Sequence, residues 1–76
     1  MARPIHTIAT EIRGTWSKVN YAAETYLEAM GSLTKITDNY GYDSGKSIVL
    51  YFLSNAGSWR GEDARRIKKE LKELVK

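Results

Sequence analysis

Residues 47–54 read Ser-Ile-Val-Leu-Tyr-Phe-Leu-Ser, and the conformation of this apolar run determines whether the chain is all-α. Over so few residues, periodicity alone does not separate a buried strand from a buried helix. Two features of the flanks favour a helix: Asp43 or Ser44 can cap its start, and Asn55-Ala56-Gly57 is typical of a helix end. A lone strand would also leave its backbone without hydrogen-bond partners. Because the run is apolar on nearly all sides, we expect it to be the central helix of the fold.

Two helices are predicted before this run. The first opens at Pro4, and its apolar residues recur at helical spacing: Ile5, Ile8, Ala9, Ile12 and Trp16. Ser17 is a candidate N-cap of the second helix, and Gly31 is placed as its left-handed C-cap. The apolar stripe of the second helix is Val19, Ala22, Ala23, Tyr26, Leu27 and Met30.

Residues 32–43 are predicted to be irregular, with Leu33 and Ile36 fastening a short turn to the core. A last helix is predicted from Gly61 to Val75, because acids occupy its first turn and lysines its last, as the helix dipole favours. The predicted helices therefore cover about residues 4–15, 18–30, 44–56 and 61–75. Together they predict a single all-α domain over residues 1–76, a compact bundle of about four short helices.

Composition limits the cellular setting. The chain has no cysteine, which suits a reducing cytoplasm. Its longest apolar run, Ile48 to Leu53, is far shorter than the roughly 20 residues of a membrane span. The first residues lack the apolar segment of a secretion signal. The sequence therefore predicts a cytoplasmic protein that does not enter a membrane.

The positive charge is concentrated near the end of the chain. Acids and bases balance over residues 1–59, whereas residues 60–76 hold seven bases and four acids and supply the whole net charge of +3. One hypothesis is therefore a small nucleic-acid-binding domain that resembles a helix-turn-helix. Its candidate contacts are Arg60, Arg65, Arg66, Lys69 and Lys72. Against it, Glu62 and Asp63 occupy the helical turn that would enter the groove.

The segment Gly41-Tyr42-Asp43-Ser44-Gly45-Lys46-Ser47 resembles a phosphate-binding loop. It has three residues between its glycines where the loop needs four, and no α/β sheet can surround it. A calcium loop starting at Asp38 also fails, because its third and fifth positions hold Tyr40 and Tyr42. We predict a turn and a helix start here, with no metal and no cofactor.

Catalytic residues are equally scarce. His6 is the single histidine, and it lies near the start of the chain, far from a serine–acid pair. A chain of this size is expected to lack a ligand pocket of about 300–1,000 Å³. The sequence therefore predicts that the protein is not an enzyme and takes no small-molecule substrate.

Aromatic residues outside the apolar stripes suggest a protein-binding surface. Its candidates are Tyr40, Tyr42 and Asp43 in one loop and Trp59 and Arg60 in a turn between helices. Tyrosine, tryptophan and arginine carry much of the binding energy at protein interfaces. Trp59 could equally fill the core between helices, and in an up-down-up-down bundle the two loops lie at opposite ends.

Four segments carry a resemblance that spans most of the chain: Ile8-Ala9-x-Glu11-Ile12-Arg13, Val19-Asn20-Tyr21-Ala22-Ala23, Tyr40-Gly41-Tyr42-Asp43 and the run from Tyr51-Phe52-Leu53 through Trp59-Arg60-Gly61-Glu62 to Ile67-Lys68. They resemble a family of small uncharacterised proteins of bacterial plasmids, prophages and other mobile elements. The resemblance implies an inhibitor or adaptor, anti-CRISPR-like in its setting, that acts on host machinery. The leading expectation is therefore a non-enzymatic module that binds a protein partner.

Overall fold

The computed structural model describes residues 3–76. Helix α1 spans Ile5–Thr15, α2 spans Tyr21–Met30, α3 spans Gly45–Ser54 and α4 spans Glu62–Leu74. Two short strands, β1 at Asn39–Tyr40 and β2 at Asp43–Ser44, form an antiparallel hairpin directly before α3. The predicted all-α bundle of four helices is confirmed, with this hairpin as its addition.

Contacts between the helix ends show that neighbouring helices run in opposite directions. Arg13, near the end of α1, pairs with Glu24 in the first turn of α2. Asn20, just before α2, donates to the carbonyl of Asn55, just after α3. Arg3, just before α1, pairs with Glu70 in the second half of α4. The hairpin and the α3–α4 connection therefore lie at opposite ends of α3.

The core is built from one face of each helix. From α1 and α2 come Ile5, Ile8, Ala9, Ile12, Ala23, Leu27, Ala29 and Met30, and from α3 and α4 come Ile48, Val49, Phe52, Ala64, Ile67 and Leu71. Connecting segments add Trp16, Leu33, Ala56 and Trp59. The predicted stripe of α1 is buried in full. Between residues 3 and 76, no polar or charged residue is buried.

Residues 47–54 are helical, as predicted, and the side chain of Ser44 caps α3 by accepting from the Ser47 N–H. The predicted central helix packs against both α2 and α4, but one of its faces is open to solvent. Leu50 is 42% exposed and Tyr51 is 47% exposed. In a domain this small, four helices leave every helix with one face toward solvent.

The predicted start of α2 is wrong, whereas its end at Met30 with Gly31 as the C-cap is as predicted in position but not in conformation. The helix begins three residues later than expected, because Asn20 rather than Ser17 is its N-cap and accepts from the Ala23 N–H at 2.8 Å. Gly31 is right-handed, with φ of −63°. The chain continues in tight turns after it, with Ser32 and Leu33 donating to Ala29 and Met30, and this brings Leu33 into the core.

Candidate functional site

The most exposed aromatic side chain belongs to Tyr42 at the tip of the hairpin, and it is 109% exposed. Tyr40 pairs with Asp43, so Gly41 and Tyr42 form a two-residue turn. Gly41 has φ of +63°, whereas Tyr42 has a negative φ. A positive φ at the first central residue alone is the pattern of a type II′ turn, which suits the twist of a hairpin. The glycine therefore holds Tyr42 at the apex, with Tyr40 and Asp43 exposed beside it.

Asp38 fixes the base of the hairpin. One of its carboxylate oxygens accepts from the backbone N–H groups of Thr34 and Lys35, at 3.1 and 2.9 Å. These hydrogen bonds, that from Lys35 first, lower the pKa of the Asp38 carboxyl. The carbonyl of Asp38 also accepts from the Gly45 N–H at 2.6 Å. The hairpin is therefore a braced structure on the end of α3.

The same contacts settle the role of the glycine-rich segment before α3. The Gly45 N–H is bound to Asp38, the Lys46 N–H donates to Ile36 at 3.0 Å, and the Ser47 N–H donates to Ser44. A phosphate-binding loop needs such N–H groups free to face its ligand. The segment is a turn and a helix start, as predicted.

Trp59 does not belong to an exposed patch. It is 3% exposed and stacks on Trp16, with ring centroids 5.4 Å apart and an interplanar angle of 8°. Phe52 contacts both indoles edge-on. Of the two roles left open by the sequence, the structure gives Trp59 the core role, so its ring is not available to a partner.

The other three tyrosines of the chain lie on α2 and α3. Tyr21 is 93% exposed at the start of α2. In the middle of the helix pair, Tyr26 packs against Tyr51, with ring centroids 5.4 Å apart. The position of Tyr51 within the apolar run of residues 47–54 predicts a core side chain, but Tyr51 is 47% exposed. Its place in the apolar run concealed that it lies on the outer side of α3.

Helix α4 separates its charges onto two flanks. Successive residues of an α-helix lie about 100° apart, which places Asp63 and Glu70 on one side of the buried stripe and Arg65, Lys68, Lys69 and Lys72 on the other. Glu62 and Glu73 border Lys69 on the face opposite the stripe. The acidic side faces α1, where Glu70 meets Arg3. We call the other side, together with Arg60 of the preceding connection, the basic flank.

Arg66 is not part of the basic flank. Its guanidinium lies on the acidic side of α4 and contacts Glu11 at 2.6 Å and Asp63 at 3.3 Å. Glu11 in turn lies 2.8 Å from Arg3. Of the five predicted nucleic-acid contacts, the structure therefore brings together Arg60, Arg65, Lys69 and Lys72 and places Arg66 elsewhere.

Lys68 is a member of the basic flank that was absent from the predicted contacts. Its Nζ donates to the carbonyls of Ala56 and Trp59, both at 2.7 Å, and lies 5.7 Å from the centroid of the Trp59 ring. Burial lowers the pKa of Lys68, and the charges of Lys72 and Arg60 lower it further. These two cations therefore lie within electrostatic reach of Lys68. Because residues four apart lie on the same face of a helix, the spacing of Lys68 from Lys72 could have placed Lys68 in the basic flank.

A groove of about 470 Å³ lies where the start of α1, the turn at residues 34–37 and the end of α4 meet. Its lining residues are Arg3, Pro4, Ile5, Thr34, Lys35, Ile36, Thr37 and Leu74. The expectation that the chain is too small for such a volume is wrong, because ligand pockets begin at about 300 Å³. Its one guanidinium, that of Arg3, is already bound to Glu70 and Glu11.

Over residues 3–76, no three histidine, aspartate or glutamate side chains are grouped so that they could hold a metal ion. His6 is exposed in the first turn of α1. Within the same range, no helix is both long and apolar enough to cross a bilayer. Comparison with known proteins found no matching family model, no matching curated protein and no matching solved structure. The resemblance to proteins of mobile elements therefore stays a prediction.

Proposed function

We propose that this chain is a non-enzymatic module that binds a protein partner through the tip of its hairpin. Tyr42 is the central contact, and Tyr40 and Asp43 lie beside it. The observation that carries the proposal is a fully exposed tyrosine on a braced two-residue turn.

Burial of such an exposed tyrosine against a partner lowers the free energy. Its ring offers a large apolar area together with a hydroxyl, and tyrosines recur among the residues that dominate interfaces. Because Asp38 and Gly45 hold the base of the hairpin, little backbone freedom is lost when a partner closes on the tip. The pre-ordered turn therefore favours binding.

Trp59 and Arg60, which the sequence also predicted as protein contacts, are not part of the proposed binding surface. Trp59 supports the fold from the core, and Arg60 belongs to the basic flank. The protein-binding surface is thus reduced to the hairpin.

The setting of the module is part of the proposal. The resemblance to small proteins of mobile elements favours a partner in host machinery and an inhibitor or adaptor role. A partner of that kind places the protein in the cytoplasm, and a chain without cysteine suits that compartment.

Paired tyrosine variants test the proposal. A photo-crosslinking amino acid at position 42 captures the partner in cells, and the purified partner is then titrated against the variants by calorimetry. Tyr42→Ala is expected to weaken binding about thirtyfold or more, the effect of removing a central interface residue. Tyr21→Ala is the matched control, because it removes an equally exposed tyrosine from the far end of α2, and it is expected to change affinity less than twofold.

Two results would contradict the proposal. One is crosslinking from position 21 but not from position 42. The other is equal affinity of Tyr42→Ala and the unaltered protein for the captured partner.

A further inference from the structure

We propose that the basic flank of α4 is a second binding surface, and that it binds the phosphate backbone of duplex DNA without regard to sequence. The flank consists of Arg60, Arg65, Lys68, Lys69 and Lys72. It shares no residue with the hairpin surface, which precedes α3, whereas the flank follows that helix in the sequence.

Four of the five cations of the flank form no ion pair with a described residue, and the fifth, Lys68, donates to backbone carbonyls. In the part of the chain that the structure describes, no acidic group lies within 4.0 Å of the charged atoms of Arg60, Arg65, Lys69 or Lys72. Two of the four acids of α4, Glu70 and Asp63, lie on the other side of the helix, where Arg3 and Arg66 engage them. Such a stripe of lysine and arginine along a helix is the electrostatic footprint of nucleic-acid binding.

The spacing of the flank suits a continuous row of negative charges. At a rise of 1.5 Å per residue, Arg65 and Lys72 are about 10 Å apart along the axis, with Lys68 and Lys69 between them. One strand of duplex DNA advances 3.4 Å per phosphate, so this length faces about three phosphates. The partly buried Lys68 holds the flank against the α3–α4 connection through its bonds to Ala56 and Trp59.

The composition of the flank distinguishes duplex DNA from other anionic partners. Single-stranded nucleic acid is held by aromatic platforms, and a membrane surface or a protein interface needs exposed apolar anchors. Among residues 3–76, the large exposed hydrophobic side chains are Tyr21, Tyr40, Tyr42, Leu50 and Tyr51, and α4 contributes none of them. A flank of cations without such anchors matches the backbone of a duplex.

This mode of binding differs from a helix-turn-helix. In that motif the first turn of the second helix enters the groove, and here Glu62 and Asp63 would face phosphates. Contact through the flank keeps Asp63 on the opposite side of α4, where it pairs with Arg66. The helix would lie beside the backbone and read no bases.

Fluorescence anisotropy with a labelled DNA duplex of about 20 base pairs tests the proposal. Affinity is expected to fall roughly a hundredfold or more between about 50 and 200 mM salt, and to be the same for unrelated sequences. The triple variant Arg65→Gln, Lys69→Gln, Lys72→Gln is expected to bind about thirtyfold or more weakly and to lose about three from the salt slope. Lys68 is left intact because it also supports the fold.

The matched control is Lys18→Gln, Lys35→Gln, Lys46→Gln, which removes the same charge from exposed sites off the flank. It is expected to keep affinity within about threefold, and Tyr42→Ala is expected to leave it unchanged, which separates this surface from the hairpin. The proposal is overturned by no binding at the lower salt, by equal losses in the two triple variants, or by tighter binding to a single strand than to the duplex. Circular dichroism of each variant shows that the fold is retained.

Discussion

Gly45 shows how much a single residue can determine. A Cβ at this position would lie 2.9 Å from the carbonyl oxygen of Ile36 and 3.0 Å from that of Lys35. Both are backbone atoms, which cannot move aside as the end of a flexible side chain can. The glycine thus lets the turn after α2 come close enough to hold the hairpin that carries Tyr42.

We expect Gly45→Ala to destabilise the fold by about 1–3 kcal/mol, although alanine ordinarily favours a helix. Gly14→Ala is the matched control, because nothing lies within 4 Å of its added Cβ near the end of α1, and it is expected to stabilise by up to about 1 kcal/mol. Urea unfolding of both variants measures the difference. Equal or greater stability of Gly45→Ala would show that the turn is not held in this way.

Trp59 marks the limit of prediction at this scale. A turn is predicted from the serine, arginine and glycine that flank Trp59, and this prediction is confirmed. These flanking residues do not reveal that Trp16, 43 positions earlier, supplies a ring on which Trp59 stacks. A buried aromatic pair is a long-range contact, and local pattern carries no information about it.

At the scale of secondary-structure elements, Asn20 joins two helices. Its carboxamide oxygen caps α2, while its amide group donates to the carbonyl of Asn55 at 2.8 Å and to Ser58 Oγ at 3.3 Å. One side chain therefore starts one helix and holds it to the end of the next. The cap places the start of α2 at Tyr21 rather than after Ser17.

We expect Asn20→Ala to lower the free energy of unfolding by about 2 kcal/mol, since it loses both the cap and the link to Asn55. Asn20→Ser keeps a capping oxygen without the amide and should lose about half as much. Chemical denaturation of the two variants separates the contributions, and Ser44→Ala is a comparison variant that loses the cap of α3 and a hydrogen bond to Ser47 Oγ but no link between helices. Equal losses in Asn20→Ala and Asn20→Ser would contradict a role for the link.

Helix α4 shows which element properties are local. Its buried stripe, its dipole-matched ends and its basic excess follow from spacing along one segment, and the helix was predicted to within a residue at each end. The sequence of α4 alone does not predict which of its charged side chains form ion pairs with other helices. Arg66 leaves the basic set because Glu11 of another helix faces it.

At the scale of the molecule, an ionic network joins the first helix to the last. The Arg3 guanidinium contacts Glu70 at 2.6 Å and Glu11 at 2.8 Å, and Arg66 contacts the second oxygen of Glu11. The hydrogen bond from Arg66 and the close guanidinium of Arg3 lower the pKa of Glu11, and hydrogen bonds from Arg3 lower the pKa of Glu70. All four side chains are partly exposed, so solvent screens the network.

The network predicts sensitivity to acid. A carboxyl whose pKa is depressed by folding stabilises the folded state above its ordinary value of 4.5, and this stabilisation is lost as the pH falls through its folded pKa. We expect the urea midpoint to fall between about pH 6 and pH 3, and to fall less in the double variant Glu11→Gln, Glu70→Gln.

Glu28→Gln is the control for this prediction. Glu28 is exposed and, among the residues described, has no ion pair within 4.0 Å. Its substitution should leave the pH dependence close to that of the unaltered protein. An unchanged pH dependence in the double variant would show that the network does not govern acid stability.

The stacked tryptophans give the molecule an optical property. They are the only two tryptophans of the chain, and their rings lie against each other in the core. Near-ultraviolet excitation selective for indole therefore samples one small volume, where the end of α1 meets the α3–α4 connection. The emission is a label-free signal of whether that junction is closed, and Tyr42 contributes nothing to it.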